Sequence, residues 1–257
     1  VNEPRRGADP VGACAIERRN EWRDALRRGL RRGKYAMGHH PVTLPILLRL
    51  TPEGRSRAID EETDVVVEGF PRSGNTFATF ALRHADRHLR VVSHVHHPNQ
   101  VVLAVRRGLP TILVVREPVP TLASYLIAGP HGRARGVLEE YVAYHRELLP
   151  YLPDVLVVDF AQLSTDMGLV IDRLNARYGT SITRFEHTRE EEAAVFASVE
   201  QFHLSVHGVN EGLVPRPSQD RRDANERHRA ELRSPALSPL LREAEEVHHV
   251  WQAVARA

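Results

Sequence analysis

Four short runs of branched aliphatic residues alternate with helix-patterned segments between residues 64 and 178. This alternation constrains the fold more than any other feature of the chain. The runs are Asp64-Val-Val-Val-Glu68, Arg90-Val-Val-Ser-His94, Thr111-Ile-Leu-Val-Val115 and Asp154-Val-Leu-Val-Val-Asp159. Their interiors are continuously apolar, or nearly so, as expected of strands covered on both faces. Between them the spacing predicts helices over Thr76–His88, Asn99–Arg107, Thr121–Ile127 and Gly136–Leu149. A further helix, capped by Ser164 or Thr165, runs to about Tyr178. Gly108-Leu-Pro110 supplies one helix stop. Strands alternating with helices specify an α/β chain, three layers α/β/α around a central parallel sheet.

With 257 residues, 42% of them hydrophobic and 26% charged, the chain can bury one sizeable core. The expected organisation is a single domain over 1–257. Residues 1–60 form a helical extension, 64–178 the core, and 179–257 a helical C-terminal part with a loop around 208–222. No stretch approaches the roughly 18 apolar residues of a membrane-spanning helix. A single cysteine, Cys14, excludes a disulfide within the chain and lacks partners for structural zinc. With no apolar leader visible, a reducing, cytoplasmic setting is expected. Net charge is +2 and aromatics are 6%, and the arginines are dispersed among acids, which argues against a nucleic-acid binder. Glu17 to Lys34 is arginine-rich with Trp22, Leu26 and Leu30 at helical spacing. It reads as a solvated helix laying an apolar stripe on the domain, or as a basic surface for peripheral contact with anionic lipid. Residues 39–50 are apolar and broken by Pro41 and Pro45, a connecting segment or part of a pocket. The pairs His39-His40 and His248-His249 read as surface histidines.

Of the 35 basic residues only Lys34 is a lysine, leaving 34 arginines. Any anion chemistry must therefore use arginine, backbone N–H groups and hydroxyls. The segment that offers them is Gly69-Phe-Pro-Arg72-Ser73-Gly74-Asn75-Thr76-Phe77, between the first strand and the first helix. Consecutive amides and a helix N-terminus converge in such a turn and make an anion site. The spacing fits G-x-x-x-x-G-K-[ST] at Gly69, Gly74 and Thr76, with Asn75 in the lysine position. Loss of that lysine counts against nucleoside triphosphate hydrolysis. A second anion-directed segment follows the third strand: Arg116-Glu-Pro118, then Ser124-Tyr125 two helical turns on. An arginine at a strand end and a serine at that distance can face one phosphate, and Pro118 suits a first helical turn.

Pro71-Arg-Ser-Gly-Asn-Thr-Phe77 resembles the 5′-phosphosulfate loop of the sulfotransferases that use 3′-phosphoadenosine 5′-phosphosulfate (PAPS). Arg116-Glu-Pro118 with Ser124 resembles their 3′-phosphate motif, and Val157-Val-Asp159-Phe160-Ala-Gln-Leu163-Ser164 resembles a structural strand–turn segment of the same enzymes. The resemblance covers residues 64–178 and is to a bacterial-type member with a P-loop-like phosphosulfate loop. It implies that Arg72, Ser73, Gly74, Asn75 and Thr76 surround the 5′-phosphate and the sulfuryl group. It implies that Phe77 takes the place of an adenine-stacking aromatic. Arg116 and Ser124 would hold the 3′-phosphate. The family's late loop has only a positional counterpart here, Val214 to Arg222, with Arg216 and Arg221 as candidate ligands.

Ser93-His94-Val95 matches part of the K-T-H-L-P-like segment of the cytosolic-type enzymes, whose histidine is the base. His94 is thus the first candidate base and His96 its rival, with His97 next to them. An unperturbed imidazole pKa near 6.5 suits proton abstraction near neutrality. The family lysine falls at Val92, so stabilisation of the leaving group passes to Arg72, Asn75, Thr76 and backbone amides. The implied activity is sulfuryl transfer from PAPS to a hydroxyl, or an amine, of a small-molecule, carbohydrate or lipid acceptor, releasing adenosine 3′,5′-bisphosphate (PAP), with no metal. Two other readings stay open at this level: a P-loop small-molecule kinase using ATP, and a non-catalytic PAP-binding member of the fold.

Overall fold

The computed structural model describes residues 43–129, 132–207 and 219–256. Two short helices come first, α1 (Thr43–Arg49) and α2 (Pro52–Arg57). Then follow β1 (Val65–Gly69), α3 (Asn75–Ala85), β2 (Val91–Ser93), α4 (Pro98–Arg106), β3 (Thr111–Val115), α5 (Pro118–Ile127) and α6 (Ala134–Leu148). A 3-10 turn, Leu149–Asp154, leads to β4 (Leu156–Asp159), α7 (Phe160–Thr165) and α8 (Met167–Tyr178). The C-terminal part is helical: α9 (Arg189–His207), α10 (Gln219–Leu232) and α11 (Ser238–Arg256).

The four strands form one all-parallel sheet in the order β2-β1-β3-β4. Alternate residues of each strand serve opposite layers, as the pleat requires. Val65 and Val67 of β1, Ile112 and Val114 of β3, and Leu156 and Val158 of β4 pack with Ala78 and Leu82 of α3 and Ile171 and Leu174 of α8. Val195 and Val199 of α9 complete that layer. Leu113 and Val115, with Val155 and Val157, face the other way into Leu122 of α5, Tyr141 of α6 and Trp251 of α11. Every strand residue is buried, so the continuously apolar runs are the two-faced strands their composition specifies. Burying each such aliphatic side chain contributes roughly 1.5–3 kcal/mol. The α/β architecture, helices on both faces of a parallel sheet, is therefore the one expected from the alternation of elements.

Strand order decides where a site can be built. From β1 the chain moves outward to β2, then returns to place β3 on the other side of β1. The loops after β1 and β3 leave neighbouring strands toward opposite faces of the sheet. Such a switch point opens a crevice at the carboxyl ends of the strands.

Several local expectations are corrected. Ser164 and Thr165 do not cap a long helix; their hydroxyls both donate to Ala161 O inside α7. The cap of α8 is Asp166, whose carboxylate accepts from Leu169 N at 2.9 Å, and Asp159 with Gln162 forms a capping box on α7. Ser, Thr and Asp are all competent caps, and the break between α7 and α8 falls at Asp166. Residues 43–49 are helical rather than a plain connector, and α10 already starts at Gln219, inside the expected 208–222 loop. His249 is exposed, but His248 is only 2% exposed and belongs to the core. His39, His40 and the arginine-rich segment 17–34 lie outside the described residues.

Candidate active site

The turn after β1 is built from backbone that only particular residues permit. A Cβ on Gly69 would stand 2.4 Å from Val114 O and 2.7 Å from Asn75 Oδ1, so glycine is required where β1 meets β3. Gly74 has φ 111° and precedes α3 without any side-chain cap. The first-turn amides of α3 are thereby left without a capping side chain, which is the electrostatic condition for an anion site. Ser73 is fully buried and its Oγ has no hydrogen-bond partner. A buried hydroxyl left unpaired costs about 1–3 kcal/mol, which marks this turn as one held against a local penalty.

Arg72 has φ 71°. Its Nε donates to Ser124 Oγ of α5 at 3.0 Å, and its carbonyl accepts from Arg116 Nη1 at 3.0 Å. The two segments singled out in the sequence, 44 and 52 residues apart in these contacts, therefore meet at the β1/β3 switch point. Arg116 is held from three sides. Its guanidinium carbon lies 3.9 Å from the centroid of the Phe160 ring, a cation–π contact. Tyr141 donates its hydroxyl to Arg116 O at 2.8 Å. Burial lowers the Arg116 pKa from its ordinary value, and the nearby positive charge of Arg229 on α10 adds to this against Glu117.

On the other flank, His94 Nε2 stands 2.9 Å from Thr76 Oγ1 in the first turn of α3. His94 Nδ1 stands 2.5 Å from Ser93 Oγ. One arrangement of protons satisfies both contacts with Nε2 as acceptor: Nδ1–H donates to Ser93, and the Thr76 hydroxyl donates to Nε2. That is the tautomer a base acting at Nε2 requires. His96 is differently placed. Its Nδ1 lies 2.9 Å from Gly69 O, to which it donates, and its ring packs edge-on against His94 at 5.6 Å between centroids. Burial pulls its pKa down to about 4, with Arg57 and Arg72 adding to the shift against the bond to Gly69 O. His97 is buried and its ring accepts from Asn99 N at the start of α4.

Asn75 does not face outward. Its Nδ2 donates to Gly69 O at 3.1 Å and Phe70 O at 3.3 Å, bracing the turn from within. In the position of a P-loop lysine it is a structural brace. Phe77 packs with Phe185, His187 and Phe196, centroid distances 6.4, 5.9 and 5.6 Å. Arg216 lies outside the described residues, and Arg221 is described only as part of the α10 backbone. Arg229 of the same helix is the one whose charge reaches Arg116.

Left-handed backbone marks the same place. The positive-φ residues other than glycine, among those described, are Arg72, His94, His96 and His187. Three line the turns of the site and the fourth touches Phe77. Such conformations cost about 1–3 kcal/mol each and persist where surrounding structure holds them. The sequence reading missed Glu68, Tyr141, Phe160 and Arg229. The signal for Glu68 was available: a lone carboxylate closing an apolar buried strand.

The arrangement offers two arginines and uncapped helix amides to an anion, with a hydroxyl-linked imidazole alongside. Among the described residues no group of three or more His, Cys, Asp or Glu could hold a metal ion, and no helix is long and apolar enough to cross a membrane. Comparison with known proteins finds no matching family model, no matching curated protein and no matching solved structure.

Proposed function

We propose that the protein is a PAPS-dependent sulfotransferase acting on a hydroxyl, or an amine, of an acceptor. The observation that carries this reading is the joining of the two anion-directed segments by the Arg72–Ser124 and Arg116–Arg72 contacts, with His94 beside the same loop. A phosphate loop alone would suit many nucleotides. An arginine–serine pair at a second strand end, linked through Arg72 to the first loop, suits a ligand with two separated phosphates. The uncapped α3 amides fit the anionic group of such a ligand.

PAPS supplies the sulfuryl group and departs as PAP. In the proposed mechanism His94 takes the acceptor's proton at Nε2 as the acceptor oxygen bonds to sulfur and the sulfur–phosphate oxygen bond breaks. Ser93 fixes the tautomer through Nδ1. Thr76 occupies the hydrogen-bond position that an acceptor hydroxyl would take at Nε2. Arg72 and the α3 amides stabilise charge gathering on the departing phosphate. Asn75 acts indirectly by holding the loop, and Arg116 anchors the far phosphate over Phe160.

The test is calorimetric titration of the full chain with PAP, AMP, ADP and ATP, followed by transfer of labelled sulfate from PAPS to an acceptor panel. Tight binding of PAP, with AMP far weaker, and transfer to any acceptor would support the reading. Preference for ATP would move the protein to phosphoryl transfer. PAP binding without turnover on any acceptor would make it a binding protein of the same fold.

A further inference from the structure

Glu68 is the penultimate residue of β1, just before the phosphate turn, and is fully buried. Its Oε1 accepts from Val95 N at 2.9 Å and its Oε2 from His96 N at 3.0 Å. Both oxygens of one carboxylate are thus spent on consecutive amides of the turn after β2. That turn has left-handed residues on either side of Val95, with φ 67° at His94 and 53° at His96. An anion enclosed by consecutive backbone N–H groups is the internal form of an anion-binding nest. Here the anion belongs to the chain, and what it holds is the residue bearing the candidate base.

We propose that Glu68 is the positioning residue of His94. By clamping the Val95 and His96 amides it locks the left-handed turn that brings His94 Nε2 to Thr76 and His96 Nδ1 to Gly69 O. The inference rests on the sulfuryl-transfer reading only in so far as His94 is the base; the clamp itself is independent of it.

The clamp also explains why a carboxylate stands in a strand otherwise made of valine and glycine. A glutamine could accept at one oxygen only, and its amide would face a second donor. Protonation of Glu68 loosens the clamp in the same way, since the hydroxyl oxygen of a carboxylic acid is a far poorer acceptor for an amide than a carboxylate oxygen. Burial raises the Glu68 pKa to about 7, against the opposing pull of the Val95, His96 and Gly69 amides and of Arg57. The charged and titratable groups around the clamp are Arg57 of α2, which donates to His94 O at 3.4 Å, His94 and His96 of the turn, and Arg72 of the phosphate loop. Ionisation of Glu68 is therefore coupled to the geometry of His94 across the neutral range.

The experiment is an NMR titration of the isotopically labelled full chain. It follows the Glu68 carboxyl carbon, the Val95 and His96 amides and the His94 ring nitrogens, in wild type and in Glu68→Gln. Amides and ring moving with the midpoint of the Glu68 carboxyl, and a His94 tautomer that becomes mixed in E68Q, are expected. A His94 ring indifferent to Glu68 ionisation, or a wild-type tautomer in folded E68Q, would overturn the proposal. Should E68Q fail to fold, the wild-type titration decides alone. In a parallel PAPS assay E68Q should lose at least about tenfold in kcat with little change in KM for PAPS. If the NMR coupling holds but the wild type neither binds PAP nor transfers sulfate, the sulfuryl-transfer reading fails and the clamp stands.

Discussion

Two histidine clusters among the described residues differ in what surrounds the ring nitrogens. At the sheet's carboxyl edge, His94 is linked through both nitrogens to hydroxyls and sits half-buried beside an anion-binding turn. In the core, His145 of α6 and His248 of α11 are buried with Tyr141, Phe70 and Trp251. His145 Nδ1 donates to Tyr141 O at 2.8 Å, while its Nε2 and that of His248 have no partner. Burial drives the His145 pKa down to about 3, with His248 contributing, and lowers that of His248 as well. The core pair is neutral packing material. The rim pair occupies backbone that glycine would prefer. Residue type therefore says little about a histidine's role, and the partners of its two nitrogens say most of it.

The largest expected effect that could break this contrast is His94→Ala. General-base removal costs about 10²–10⁴-fold, so turnover of PAPS should fall by that range while calorimetric PAP affinity stays near wild type. Turnover within a few-fold of wild type would remove His94 from the mechanism and leave the rim pair as inert as the core pair.

The core pair makes the opposite prediction, in stability. Because the folded pKa of His145 is depressed, its neutral form is favoured in the fold. Its contribution is complete above about pH 6.5 and is lost as pH falls toward about 3. Between pH 6.5 and pH 4 the loss is roughly 3 kcal/mol. In denaturant unfolding, His145→Leu should be flatter than wild type over that window. An identical acid limb in the two proteins would mean that His145 is not buried neutral.

How much of this was legible in the sequence depends on whether the informative contact is local. The strands, the phosphate turn and the Arg116–Ser124 spacing each lie within one βα unit, where period and capping rules apply. Glu68 bonds amides 27 and 28 residues away, and only its odd place in an apolar strand hinted at them. The burial of His248 was readable in principle. It shares the stripe Leu241, Ala244, Val247, Trp251 and Ala255 of an amphipathic helix, while the neighbouring His249 lies off that stripe and is exposed. The capping choice at residues 164–166 was not readable, since Ser, Thr and Asp are all good caps and tertiary packing selects among them. The inward turn of Asn75 was hidden for a related reason. Its position matches a ligand-facing lysine, but its shorter side chain reaches the Gly69 and Phe70 carbonyls instead.

Arg116→Ala sharpens the comparison from the ligand's side. A charge-assisted contact of this kind contributes about 1.5–3 kcal/mol, so PAP affinity should fall roughly tenfold to a hundredfold, with AMP affinity almost unchanged. Equal losses for PAP and AMP would show that Arg116 does not read a 3′-phosphate.

The smallest effect belongs to His96, and it tests whether position within the rim matters as much as membership in it. His96 donates Nδ1–H to Gly69 O, and with a pKa of about 4 it is unprotonated throughout the neutral range but too weak a base to compete for the acceptor proton. Its amide, not its ring, is what Glu68 holds. His96→Asn retains the amide and a side-chain donor for Gly69 O, so kcat should fall by less than about tenfold, under about 1.4 kcal/mol of barrier. A loss as large as that of His94→Ala would make His96 the base. The Ser93–His94–Thr76 chain would then be a brace, and Nε2 of the neighbouring ring would be the atom that takes the acceptor's proton.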